Sequence, residues 1–192
     1  MRLPRPGPAL ALAIVAGLQT AVLLYMVIDR SVLLKTGREI VLPVRPVDPR
    51  DLFRGQYVRL GFDVASVPLK LVEGPRPTGN KPFYVTIEQQ EGGDWTPVRI
   101  TAAPPGEAGP KQIVLKARPY YRFPPATASP NGMVQARYGI ESYFVTEGEG
   151  PRLEALARDK KVAVLVAVDG RGNAALKGIL IDGKLQYTEP LL

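Results

Sequence analysis

The run Ala9 to Ile28, ALALAIVAGLQTAVLLYMVI, holds twenty residues without a charge. As a helix rising about 1.5 Å per residue, it covers ~30 Å, the thickness of a bilayer's hydrocarbon core. Arg2 and Arg5 precede it, and Asp29 with Arg30 closes it. A cleaved signal peptide has a shorter apolar core and a small-x-small exit. This run ends instead in bulky Tyr25, Met26, Val27 and Ile28. A core helix would carry a polar stripe, and none is present. The stretch therefore reads as an uncleaved signal-anchor whose first partner is the lipid bilayer. It divides the chain into a tail plus transmembrane helix, residues 1–36, and a separate domain, residues 37–192.

Orientation does not follow from charge alone. Arg2 and Arg5 stand before the run, and Arg30, Lys35 and Arg38 after it. Long domains translocate largely regardless of local charge, so a short tail ahead of a long domain favours a single-pass protein with its N-terminus inside and its domain outside the cytoplasm. The net charge of +7 includes +3 from Met1 to Lys35. The remaining basic residues are scattered, with no five-residue basic run and no repeated base-stacking aromatics. Nucleic acid is not expected as a partner; a mild attraction to anionic lipid headgroups is.

The 20 prolines and 19 glycines point to many turns and short strands rather than long helices. Arg38 to Val47 reads as a first strand, kept at a sheet edge by Pro43 and Pro46, which donate nothing to a ladder. A second strand follows, running to about Val64. Phe83 to Gln89 and Trp95 to Ala102 form a hairpin around Glu91-Gly92-Gly93-Asp94. Lys111 to Arg118, Met133 to Ile140, Tyr143 to Val145, Lys161 to Val168, Ala174 to Asp182 and Leu185 to Thr188 are extended. Pro68 to Asn80 reads as a connection, and Pro119 to Pro130 as a surface excursion laying three rings over a neighbouring groove. Pro151 to Asp159 is the one helix expected in the domain, with Pro at its first position. Thr36-Gly37 ends the membrane helix, with Gly as a left-handed cap. The fold class is mainly β: an antiparallel barrel or sandwich of about eight short strands, one N-terminal transmembrane helix, and one short helix near the C-terminal third.

No Cys and no His occurs in the chain. That removes thiol nucleophiles, imidazole bases and the common zinc sites, and no catalytic residue or cofactor is assigned. Two polar clusters remain as candidate partner- or ligand-binding surfaces. One is the corner Asp48, Arg50, Asp51, Arg54, Gln56 and Tyr57; the other runs through Tyr138, Glu141, Tyr143, Glu147 and Glu149. Opposite charges in the two could pair, Arg54 with Glu141 or Glu149. A metal reading on Glu141, Glu147 and Glu149 lacks the Asp-rich spacing of a calcium loop, so no metal is assigned. A catalytic carboxylate pair would need a fold holding two acids about 5–10 Å apart across a sugar cleft.

The corner resembles the signature of the GDYXXLXY family. Gly55, Gln56, Tyr57, Leu60 and Phe62 occupy the positions of G, D, Y, L and the final Y. Pro46 to Asp51 and Arg54 match the approach to that motif. The second block, Tyr138 to Val145 followed by Glu147-Gly148-Glu149-Gly150, is similar to the family's other strong block. Gln56 keeps the hydrogen bonding of the motif Asp without its charge, and Phe62 keeps the ring of the final Tyr, as suits packing. The resemblance implies a bacterial protein anchored in the cytoplasmic (inner) membrane, beside or fused to a multi-spanning membrane protein, and it implies no reaction. The expected function is an accessory, partner-binding role in the cell envelope without catalysis; the alternative is a carboxylate-dependent hydrolase of envelope glycan or peptide.

Overall fold

A computed structural model describes residues 7–45, 57–106, 108–144 and 149–188. The chain opens with α1, Pro8–Thr36, a helix long and apolar enough to cross a membrane and unburied along its most apolar window. Pro8 sits in its first turn, where the missing N–H costs no hydrogen bond. At about 1.5 Å per residue the helix reaches ~43 Å, so it outlasts a hydrocarbon core by roughly two turns.

Those last turns dock on the domain. Leu33 and Leu34 are buried against Ala175 in a small cluster separate from the main core. Gly37 closes the helix, its N–H donating to Leu33 O at 2.9 Å. The end falls where the sequence put it, but the expected left-handed cap is absent: Gly37 is extended, with φ −63° and ψ 147°. Close approach explains the glycine instead. A Cβ there would stand 2.6 Å from Leu33 O and 3.0 Å from Val168 N, both backbone atoms.

The domain contains β1 (Arg38–Pro43), β2 (Tyr57–Arg59), β3 (Ser66–Pro68), β4 (Phe83–Gln89), β5 (Trp95–Thr101), β6 (Gln112–Pro119), β7 (Met133–Arg137), β8 (Ser142–Phe144), helix α2 (Glu149–Arg158), β9 (Val162–Val168), β10 (Ala174–Ile181) and β11 (Lys184–Thr188). One antiparallel sheet has the order β1-β9-β10-β11, a second the order β3-β7-β6-β4-β5, and β2 with β8 makes a two-stranded ribbon. The inward residues of both sheets merge into one core: Leu42, Val164, Val166 and Ile179 from the first, and Phe83, Val85, Ile87, Ile100 and Leu115 from the second. Two sheets sharing one core and keeping open edges make a sandwich rather than a closed barrel.

The mainly β, antiparallel class therefore holds, with eleven strands described where about eight were expected. β1 lies at a sheet edge, in keeping with Pro43 at its end. It ends at Pro43, and the second strand ends at Arg59 rather than near Val64. There the chain turns into a short 3₁₀ helix, Asp63–Ala65, which buries Val64. The connection after Pro68 likewise holds a 3₁₀ turn, Leu69–Leu71. The excursion Pro119 to Pro130 is only partly on the surface. Phe123 is buried edge-on against Phe83, ring centroids 5.2 Å apart, while Tyr121 is exposed. Helix α2 starts two residues earlier than expected, making Pro151 its third residue, still within the turn whose N–H groups lack helical acceptors. It buries Leu153 and Ala157, one turn apart, in the core.

Candidate functional site

The two blocks singled out in the sequence meet in the ribbon. Tyr57 pairs with Phe144, Val58 with Tyr143 and Arg59 with Ser142. The Leu60 N–H donates to Glu141 O at 2.9 Å, extending the pairing by one residue. Leu60 and Phe62 of the signature are both buried in the core, as the ring-for-ring reading of Phe62 implied. Asp48, Arg50, Asp51, Arg54, Gln56 and Glu147 lie outside the described residues, and the proposed pairings of Arg54 with them. Tyr57 and Glu149 are placed by backbone, in β2 and at the start of α2.

Glu141 has a structural task. The chain bends between β7 and β8 at Gly139, whose φ of +84° suits a residue without Cβ. The Glu141 carboxylate closes this turn, accepting the Tyr138 N–H at 2.5 Å and the Gly139 N–H at 2.9 Å. Tyr138 is buried, and its hydroxyl donates to Val64 O at 2.6 Å. Burial, reinforced by the negative charge of Glu141, raises the phenol far above its ordinary value. It therefore stays a neutral donor rather than a base. Tyr143 is buried in the same core. Among the described residues no three carboxylates gather as metal ligands would.

Beside this turn lies a cleft of about 390 Å³ lined by Lys116, Arg118, Arg137, Glu141 and Asn173. Antiparallel pairing sets Arg118 of β6 directly opposite Arg137 of β7, and Lys116 shares the face of Arg118 by the two-residue period of a strand. Next to it, the Arg137 guanidinium lies 5.4 Å from the centre of the Tyr120 ring, and Arg59 Nη2 donates to the Tyr120 hydroxyl at 3.3 Å. None of these cations was singled out from sequence. The alternation Lys116-x-Arg118 was visible, but its register against Arg137 was not.

A third constellation joins the helix to the domain. In the turn Asp169-Gly170-Arg171-Gly172-Asn173, Asp169 Oδ1 accepts the N–H groups of Arg171 and Asn173, each at 2.8 Å. Its Oδ2 accepts Asn173 Nδ2 at 2.8 Å and Arg171 Nε at 3.2 Å. Partial burial raises the Asp169 carboxyl, but the hydrogen bonds from Asn173 and Arg171 outweigh it and hold the group below its ordinary value. Arg171 Nη2 then reaches Asp29 Oδ1 at 2.7 Å, and Arg30 Nη1 donates to Ala174 O at 3.4 Å. The residues that end the apolar run are thus tied to the β9–β10 turn.

Together these features define an antiparallel β-sandwich carried on one N-terminal helix long and apolar enough to span a membrane, with a ribbon built from two distant sequence blocks. The family model described as GDYXXLXY protein matches residues 19–179, most of the chain, and the protein belongs to the GDYXXLXY family. No curated protein and no solved structure matches it.

Proposed function

We propose that this protein is a single-pass accessory protein of the bacterial cytoplasmic membrane that binds a multi-spanning membrane protein, its sandwich lying outside the cytoplasm, and performs no catalysis of its own. The observation that carries this reading is the docked junction. With Leu33 and Leu34 buried on Ala175, and Asp29 held by Arg171, the helix and the sandwich form one body without a free linker. A tether needs only a flexible connection; a fixed one suits a protein that engages its partner both in the bilayer and above it.

Two further features agree. Ala9, Ala13, Gly17 and Ala21 follow at four-residue steps on α1, with open space around Gly17, a pattern that lets another helix approach closely. The described end of the signature block, Tyr57 to Arg59, pairs with the second block in the ribbon.

Purification of the tagged full-length protein from native membranes in mild detergent tests this reading. A multi-spanning protein should co-elute stoichiometrically, and Gly17→Leu together with Arg54→Glu should release it while the domain stays folded. A solitary protein, or a partner indifferent to both substitutions, would contradict it.

A further inference from the structure

The cleft beside the Glu141 turn poses an electrostatic problem. Arg118 and Arg137 stand directly opposite each other on neighbouring strands, both exposed, an arrangement that destabilises a sheet when nothing lies between the charges. Lys116 adds a third positive charge to the same cleft. Elsewhere three cations of the fold are paired with acids: Arg45 with Asp63, Arg171 with Asp29 and Asp169, and Lys177 with Glu39. Among the described residues no carboxylate forms an ion pair with Lys116, Arg118 or Arg137. Glu141 is the acid that lines the cleft, and both its oxygens already accept backbone N–H groups.

The place of this cleft in the fold narrows what could fill it. The Lys116 N–H donates to Gly172 O at 2.7 Å, and Asn173 lines the cleft itself. Gly172 and Asn173 belong to the turn whose Arg171 holds Asp29, the first charged residue after the apolar run. The cleft therefore borders the turn that holds the point where α1 leaves its apolar run.

We infer that the cleft formed by Lys116, Arg118, Arg137 and Asn173 binds the phosphate of an anionic phospholipid headgroup. The guanidinium groups supply forked donors matched to phosphate oxygens, and the ammonium group a point charge. The Tyr120 ring under Arg137 steadies one guanidinium. Bound phosphate relieves the repulsion across β6 and β7 and fixes the face of the sandwich that meets the membrane. This inference shares with the proposed function only the premise that α1 spans the bilayer; its test requires no partner protein.

The full-length chain in nonionic detergent micelles would be titrated with phosphatidylglycerol, phosphatidylcholine and inorganic phosphate. Native mass spectrometry reads retained lipid, and hydrogen exchange reads protection over residues 112–119 and 133–137. Phosphatidylglycerol should be retained at least about tenfold more strongly than phosphatidylcholine. That preference should vanish in the double variant Arg118→Gln with Arg137→Gln and persist in Lys184→Gln, which removes an exposed charge outside the cleft. Both cleft residues are exposed, so folding is expected to survive, and thermal unfolding of the same samples checks it. Equal retention of the two lipids, or a preference unchanged in the double variant, would overturn the inference. Protection by inorganic phosphate but not by phosphatidylglycerol would overturn the assignment to lipid.

Discussion

The Glu141 carboxylate satisfies two backbone donors at a turn where neither has another described acceptor. Glu141→Ala should leave both unsatisfied and lower stability by about 1–3 kcal/mol in denaturant unfolding. Glu141→Gln, which keeps one acceptor oxygen, should recover part of the loss. Unchanged stability would refute the capping role and return Glu141 to the list of surface ligands. Gly37 gives a sharper contrast. Gly37→Ala sets a Cβ against two backbone atoms and should cost about 1–3 kcal/mol. Gly170→Ala, with open space around it, should stay within about 0.5 kcal/mol of the original. Asp169 carries a pH dependence of definite sign. Its folded-state value is depressed, so its contribution is complete above the unfolded value of about 3.9 and is lost as pH falls through the lower folded value. Amide exchange at Arg171 and Asn173 should accelerate across that acid window, and Asp169→Asn should weaken the dependence.

At the scale of elements, the helix-to-sheet contact is a small cluster separate from the main core. Leu34→Asp should therefore undock the end of α1 without unfolding the sandwich. Trypsin cleavage at Lys35 and Arg38 should speed up several-fold while the thermal transition of the domain stays near its original temperature; unaltered cleavage would mean that the contact holds nothing. Much at this scale was legible in the sequence. The β-branched and aromatic runs of β4, β5 and β9 gave those strands, prolines put β1 at an edge, and the end of α1 fell at Thr36-Gly37. Local signals set each of these. What stayed hidden depends on distant partners. The pairing of β2 with β8, the opposition of Arg118 and Arg137, and the burial of Phe123 all follow from register and topology, which no short window encodes. The turn at Asp169 was read as a turn and nothing more, because its tie to Asp29 spans 142 residues. The candidate corner was visible as a motif, yet only its last part, Tyr57 to Phe62, falls among the described residues.

For the whole molecule, the central claim is that α1 and the sandwich behave as a single rigid body. The chain has no cysteine, so introduced cysteines carry spin labels at chosen positions alone. Labels at Leu24, exposed on the apolar run, and Thr96, exposed on β5, report on the junction. Labels at Thr96 and Lys184 report on the sandwich by itself. The decisive measurement is the pulsed-dipolar distance distribution of both pairs in the full-length protein held in lipid nanodiscs. A Leu24–Thr96 distribution as narrow as that of Thr96–Lys184, broadened by Arg171→Glu combined with Leu34→Asp, is the predicted result. A broad Leu24–Thr96 distribution in the otherwise unaltered chain would mean that the helix is a loose tether, and would remove the observation on which the accessory role rests.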